Sequence, residues 1–431
     1  MATSRFADWL RWPRRRPADA AEFESLAQSL LSGQGEASGV ALATRLLDAY
    51  GALPEVARTA FFDLLLQRFG VDPAALKRAI ADYERRPDGE TALRIHRAAE
   101  PRRQELIRRM NLAPGGTQQL VRMREHLLAA MREQPGLAVV DADFRHLFAS
   151  WFNRGFLVLR RIDWATPAHV LEKIIRYEAV HAITSWESLR LRLEPADRRC
   201  FGFFHPALDS EPLIFVEVAL TQEVPDGIGP LLQADRSPVP PHRATTAVFY
   251  SISNCQTGLR GISFGSFLIK QVAEDLRREL PTLDTFVTLS PMPGFCRWLA
   301  AARRADNSVL PAADRVALRD IDDPGWHLQP AKALREALTR AALRYLFDAK
   351  DDAGMPRDPV SRFHLGNGAR LERLDWLGDV SVNGLAQGAG FMVNYLYDLD
   401  AVERNHETFA NQGDIVASAG LRRSHRNAVE R

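Results

Sequence analysis

The stretch that decides the fold is Ala247-Val248-Phe249-Tyr250-Ser251-Ile252-Ser253, followed by Gln256-Thr257-Gly258-Leu259-Arg260-Gly261-Ile262-Ser263-Phe264-Gly265-Ser266 and then Phe267-Leu268-Ile269-Lys270. The first run is short, apolar and β-branched or aromatic, which predicts a strand. From Ser266 to about Leu280 apolar residues recur at helical spacing. A glycine loop joining a strand to a helix lets backbone N–H groups approach an anion, and the helix dipole favours one there. No GK[ST] follows, so this is not a Walker loop, and the spacing does not match G-x-G-x-x-G. Three glycines in a turn are also ordinary loop chemistry, and phosphate binding competes with that plainer reading because of where the loop sits.

Downstream, Thr285-Phe286-Val287-Thr288-Leu289 predicts the next strand, ending at Ser290. Pro291-Met292-Pro293-Gly294-Phe295 then forces a sharp turn. Ligands of open sheets gather where strands end, although Ser290 could equally cap a helix running from Pro293 through Leu299. Farther on, Phe363-His364-Leu365-Gly366-Asn367-Gly368 sets a histidine beside a tight turn, where it could act as an acid or base near neutral pH. Any one of eleven histidines is more often structural. His205, before Pro206, and His181, expected on a helix, have weaker cases, and no pair has HExxH spacing. Cys200–His205, Leu213–Leu220, Arg370–Trp376 and Phe391–Tyr397 are further strand candidates, and a long helix is expected from Pro330 to Phe347. The stretch 225–243 is rich in Pro and Gly and reads as a surface loop.

Upstream of residue 152 everything reads as helix. Val40-Ala41-Leu42…Leu46-Leu47…Tyr50 and Val56…Phe61-Phe62…Leu65-Leu66…Phe69 repeat at three and four residues. Asp72-Pro73 supplies an N-cap and a first-turn proline. Thr117 and Asp141 are candidate caps for two later helices. Short Gly/Pro turns between amphipathic helices indicate an antiparallel bundle. The predicted architecture is therefore α+β: an all-helical segment 1–152, then an α/β segment 153–431.

Composition sets the outer limits. A chain of 431 residues suggests two or three domains at roughly 100–200 residues each. Its 56 Lys+Arg against 54 Asp+Glu give a net charge of +2, which argues against a general affinity for nucleic acid or acidic membranes. Only five of those 56 basic residues are lysines. Guanidinium groups suit carboxylate and phosphate contacts, but genome composition explains the skew more simply. Cys200, Cys255 and Cys296 are scattered and without CxxC spacing, so neither a disulfide framework nor a zinc site is expected. No apolar run approaches the ~20 residues of a membrane span. Arg14-Arg15-Arg16 without a long apolar run is no secretory signal. Val429-Glu430-Arg431 is not the peroxisomal tripeptide. A reducing, cytoplasmic setting is expected.

Taken together, Phe249–Ser253, Gly258-Leu259-Arg260-Gly261…Gly265…Phe267-Leu268-Ile269-Lys270, Leu289-Ser290-Pro291-Met292-Pro293-Gly294-Phe295 and Phe363-His364…Asn367-Gly368-Ala369 resemble the catalytic domain of the malonyl-CoA decarboxylase family. Trp151-Phe152…Gly155-Phe156, Glu178-Ala179-Val180-His181 and Val218-Ala219-Leu220-Thr221 extend the resemblance. It implies a helical N-terminal domain that mediates assembly into a homotetramer or dimer. It also implies a GNAT-like catalytic domain (the Gcn5-type N-acetyltransferase fold) in which two neighbouring strands splay apart to admit pantetheine. Those strands would be Val248–Ser253 and Thr285–Leu289. The CoA-binding loop would be Arg260, Gly261, Ile262, Ser263, Phe264, Gly265 and Ser266. Ser290, His364 and Tyr397 inherit the catalytic positions, with Ser290 and His364 also touching substrate. The implied reaction takes malonyl-CoA to acetyl-CoA and CO2 with no metal or cofactor, because the thioester is the electron sink. Eukaryotic members imply an acidic residue where this chain has Ser263, which points to a bacterial-type member. Two rival activities are an N-acyltransferase using Glu217 as base, a residue expected to face solvent, and a non-catalytic acyl-CoA sensor.

Overall fold

A computed structural model describes residues 20–32, 35–208, 210–262, 264, 268–305, 308–323 and 325–430. These fall into two compact units. The first holds the described residues of Met1–Leu157 together with those of His205–Ser210 and Gln256–Phe264, and the second holds the remainder.

In the first unit the helices are α1 (Ala20–Leu31), α2 (Glu36–Gly51), α3 (Glu55–Arg68), α4 (Pro73–Arg85), α5 (Gly89–Ala99), α6 (Arg102–Met110), α7 (Gly116–Ala130) and α8 (Ala138–Trp151). Asp72 caps α4 as expected, its Oδ1 accepting from the backbone N–H of Ala74 and Ala75. The other two caps differ. Thr117 lies inside α7 and its hydroxyl donates to Asn111 Oδ1, because left-handed Gly115 already starts the helix. Asp141 lies inside α8 and pairs with Arg124 Nε at 2.7 Å.

Arg124 has a second task. It is 1% exposed, and its Nη1 donates to the carbonyls of Gly258 at 2.7 Å and Arg260 at 2.9 Å. The first part of the glycine loop is thus seated on α7 and α8 by one buried ion pair. A side chain at Gly258 would have its Cβ on the carbonyl oxygen of Val121, so only glycine permits that approach. Gly258→Ala is expected to lower stability by about 1–3 kcal/mol through this overlap. Thermal unfolding checks it, and an unchanged Tm would mean that the loop stands clear of α7.

The second unit is built on one mixed sheet of β1 (Val158–Ile162), β2 (Arg198–Phe204), β3 (Pro212–Thr221), β4 (Thr246–Asn254), β5 (Thr285–Thr288), β6 (Ser290–Pro291), β7 (Arg370–Asp375) and β8 (Met392–Leu396). Its order is β1-β2-β3-β4-β5-β8-β6, with β7 on the other side of β8. Among these strands β4 and β5 form the one parallel pair, the other strand pairs being antiparallel. The chain between them crosses over through α12 (Leu268–Glu279), as a parallel pair requires. The remaining helices are α9 (Ala168–Tyr177), α10 (Trp186–Leu193), α11 (Gly229–Leu232), α13 (Phe295–Arg304), α14 (Ala312–Ala317), α15 (Lys332–Phe347), α16 (Pro359–Gly366), α17 (Val382–Gly388), α18 (Val402–Gln412) and α19 (Ala419–Val429).

Two irregularities shape the middle of the sheet. Glu217 pairs with Ser251 while its neighbour Val218 pairs with Phe249, so Tyr250 is an extra, bulged residue on β4. Pairing of β4 with β5 stops just there, at Phe249↔Thr288 and the Leu289 N–H to Phe249 carbonyl bond. Beyond it β4 continues to Asn254, whereas Ser290 and Pro291 turn to pair with β8. The two parallel strands part, as the resemblance implies. Cys200 and Cys255 lie in the apolar core on one side of the sheet.

Candidate active site

Where β4 and β5 part, the chain places four hydroxyl or imidazole groups in a row. Thr288 ends β5 and Ser290 lies two residues on, so both side chains share one face of the strand. Their oxygens are 2.8 Å apart. Ser290 Oγ is 3.0 Å from His364 Nε2, and His364 Nδ1 is 2.9 Å from Tyr397 Oη. Thr288, Ser290, His364 and Tyr397 are all buried. Ser290, His364 and Tyr397, the residues expected at the catalytic positions, are thus joined by the fold into one hydrogen-bonded chain. Thr288 joins them unexpectedly; the Thr-x-Ser spacing on a strand is the signal that points to it.

His364 is held from three directions. It lies on the buried side of α16, a helix absent from the sequence-based expectation. Asp358 caps that helix by accepting from the N–H groups of Val360 and Ser361, and it also accepts from Tyr345 Oη at 3.1 Å. Ser361 in turn accepts from Tyr395 Oη, and the Tyr395 ring stacks on the imidazole at 4.6 Å with 24° between planes. Gly368, with φ +80°, turns the chain away, and a Cβ there would strike the carbonyl of Val402.

Burial takes the His364 pKa down to about 3 and pushes the Tyr397 phenol well above its ordinary value. The imidazole is therefore neutral at physiological pH, with one N–H and one lone pair. The chain of bonds can run in only one direction at a time. When Ser290 donates to Thr288 it accepts from His364 Nε2–H, and Nδ1 accepts from Tyr397 Oη. The N–H of Tyr395 also donates to Thr288 Oγ1, at 3.2 Å.

Ser290 and His364 open on a cavity of about 240 Å³. Phe249, Tyr250, Ile252 and Asn254 of β4 form one wall, and Val360 and Phe363 of α16 another, with Val180 alongside. No lining residue is charged at neutral pH. His181 lies beyond the end of α9 rather than on a helix, and the carboxylate of Glu178 accepts from its backbone N–H and from the hydroxyls of Ser251 and Ser253. His205 belongs to the helical unit, where its ring contacts the carbonyl of Trp151.

Glu217 requires a correction. It is fully buried rather than facing solvent, because β3 is an inner strand covered on both faces. Its Oε2 accepts from Arg192 Nη1 at 2.8 Å, and it is not part of the cavity wall. Of the predicted CoA loop, Arg260, Gly261, Ile262 and Phe264 are described, Gly261 with φ +75°. Ser263, Gly265 and Ser266 lie outside the described residues. Among the described residues no cluster of His, Cys, Asp and Glu is placed to hold a metal ion, and no helix is long and apolar enough to cross a membrane.

Helices followed by a mixed-sheet α/β domain, with a buried serine–histidine–tyrosine chain where its parallel strands part, define the class. Residues 69–152 match the family described as malonyl-CoA decarboxylase N-terminal domain, and residues 155–431 match malonyl-CoA decarboxylase C-terminal domain. The chain belongs to the malonyl-CoA decarboxylase family. It is 32% identical over 409 residues to the mitochondrial malonyl-CoA decarboxylase of Rattus norvegicus, covering 86% of this chain and 82% of that one. The crystal structure of malonyl-CoA decarboxylase from Rhodopseudomonas palustris is 55% identical, with TM-score 0.92 over 94% of this chain and all of that one. That from Agrobacterium vitis is 54% identical, with TM-score 0.89 over 94% and 99%.

Proposed function

We propose that Ser290, His364 and Tyr397 are the groups with which this chain converts malonyl-CoA to acetyl-CoA and CO2. The observation that carries this reading is the continuous chain Ser290–His364–Tyr397 opening on an uncharged cavity at the parting of β4 and β5. In the reaction the bond from Cα to the carboxylate breaks. Its electron pair moves into the thioester, giving the acetyl-CoA enolate. A carboxylate seated among Phe249, Ile252, Val360 and Phe363 lies against apolar walls with no cationic lining residue. Its charge is therefore better accommodated once dispersed into the enolate. The enolate carbon is basic enough to take its proton from a neutral donor. Ser290 Oγ–H and His364 Nε2–H are the two that face the cavity, and with Tyr397 Oη donating to Nδ1 the ring proton lies on Nε2. Water restores the proton afterwards. The thioester carbonyl is itself the electron sink, so the reading needs neither cofactor nor metal.

Following acetyl-CoA formation from malonyl-CoA tests it directly. Ser290→Ala is expected to lower kcat by about 10²-fold, the value of one preorganised donor, with KM changed far less. Full turnover by that variant would remove Ser290 from the chemistry. Self-association and a reducing compartment belong to the same reading. Ile80, Tyr83 and Leu93 leave an apolar face exposed on α4 and α5, and the three cysteines are free.

A further inference from the structure

The protons of the buried chain Thr288–Ser290–His364–Tyr397 can all point one way or all the other, and its two ends agree on the direction. At one end Thr288 Oγ1 accepts from the backbone N–H of Tyr395 at 3.2 Å. The geometry between the Thr288 and Ser290 oxygens, 2.8 Å apart, makes Ser290 the donor. Both lone pairs of the threonine hydroxyl are then in use. At the other end Tyr397 is buried, and among the described residues His364 Nδ1, at 2.9 Å, is the hydrogen-bond partner of its phenol. Leaving a buried phenol proton without an acceptor is costly. Tyr397 therefore donates, and the ring's own proton sits on the other nitrogen.

Thr288 is held in place by β8. Its carbonyl accepts from the side-chain amide of Asn394 at 2.8 Å, and its hydroxyl from the Tyr395 N–H, so backbone and side chain are both tied to that strand. Thr288 is fully buried and is not part of the cavity wall. Its oxygen can reach the reaction only through Ser290.

We infer that Thr288 is a positioning residue for decarboxylation: its hydroxyl, fixed as an acceptor by β8, draws the Ser290 proton towards itself and so keeps the His364 ring proton on Nε2, the nitrogen that faces the cavity. The inference rests on the reading that Ser290 and His364 act on malonyl-CoA, and adds what sets the polarity of that pair. The proton taken by the enolate carbon comes from Nε2–H, or from Ser290 Oγ–H refilled by Nε2–H, and water returns one proton at the end. Both routes need the ring proton on Nε2. Without the Thr288 acceptor, Ser290 turns to donate to Nε2, the ring proton moves to Nδ1, and neither route can be completed.

The test uses two variants of the full-length enzyme and two readouts. Thr288→Val keeps the branched shape and removes the acceptor, whereas Thr288→Ser keeps the acceptor. With malonyl-CoA, kcat is expected to fall about 10²-fold in Thr288→Val at nearly unchanged KM, the low end of what a positioned acid–base group contributes. Thr288→Ser should recover most of that loss. The second readout is the tautomer, read by nitrogen NMR of protein carrying isotope-labelled histidine. The His364 signal, identified by its disappearance in His364→Gln, should report Nε2–H in the parent and in Thr288→Ser, and Nδ1–H in Thr288→Val. A parent enzyme with Nδ1–H overturns the inference with no variant and no substrate, so a Thr288→Val chain that fails to fold does not shelter it. Full kcat in Thr288→Val overturns it as well, and so does a lost kcat with Nε2–H retained, which would mean that Thr288 acts through packing alone. Absence of malonyl-CoA turnover by the parent would instead count against the decarboxylase reading, the tautomer result standing apart from it.

Discussion

Replacing His364 with alanine is expected to lower kcat for malonyl-CoA by about 10²–10⁴-fold, the contribution of a positioned acid–base group. The pH dependence makes the expectation sharper. An imidazole whose pKa burial has taken down to about 3 does not titrate in the working range. The parent enzyme should therefore show no acid limb near pH 6.5 in kcat. A limb centred there, abolished by the substitution, would mean that an imidazolium forms and would overturn the neutral-donor account. Stability should carry the same signature. The unfolded chain binds a proton on this histidine near pH 6.5, and the native protein does not until about pH 3. The stabilisation is complete above about 6.5 and declines as the pH falls towards 3, by up to about 1.4 kcal/mol per pH unit. Urea unfolding from pH 7 to 5 should show that slope reduced in His364→Gln.

The largest effect on stability is expected at Arg192. Removing its guanidinium by Arg192→Ala leaves the carboxylate of Glu217 buried without its charged partner. Breaking a buried pair in this way costs about 3–5 kcal/mol. Arg192 also donates to the carbonyl of His181 at 2.7 Å, so the segment after α9 loses an anchor at the same time. Burial raises the Glu217 pKa to about 7, with Arg192 opposing that rise. A carboxyl raised in the folded state contributes stability that is full below its unfolded value and lost as the pH rises through the folded one. In the variant the folded pKa climbs further, so its deficit against the parent should widen as the pH rises above about 7. Adding Glu217→Gln should recover much of the loss, since the uncompensated charge is then gone. Denaturant midpoints at pH 6 and 8 check both statements, and a deficit below about 1 kcal/mol that is flat with pH would sink them.

Much of the site could be read in one dimension. Phe249–Ser253 and Thr285–Leu289 have strand composition, and Leu268 to Glu279 has helical spacing, because each depends on neighbours within a few residues. The missed elements lacked such a local signal. β1 is Val-Leu-Arg-Arg-Ile, which does not alternate, and its place comes from pairing with β2 across the register Val158↔Phe204 to Ile162↔Cys200. α16 is eight residues long, too short to reveal a period, and it is held by the Asp358 cap and by the packing of Tyr395. Glu217 between Val216 and Val218 imitates a strand with one wet face, yet its strand is covered on both sides.

The amino-acid sequence by itself determined the helices and strands with a local period or composition, the glycines where the backbone must turn or approach closely, and the residues able to do chemistry. Only the tertiary structure decided what those residues are. Ser290 and His364 are 74 positions apart, and no local rule brings them within 3.0 Å. The neutrality of His364 comes from desolvation by α16, β8 and the parted strands, and the Glu217 carboxyl is pushed up by burial against the pull of an arginine on another element. Chain geometry is set by short-range sterics and hydrogen bonds. Protonation and pairing are set by the dielectric and the charges that remote segments bring together, and those exist only once the chain has folded.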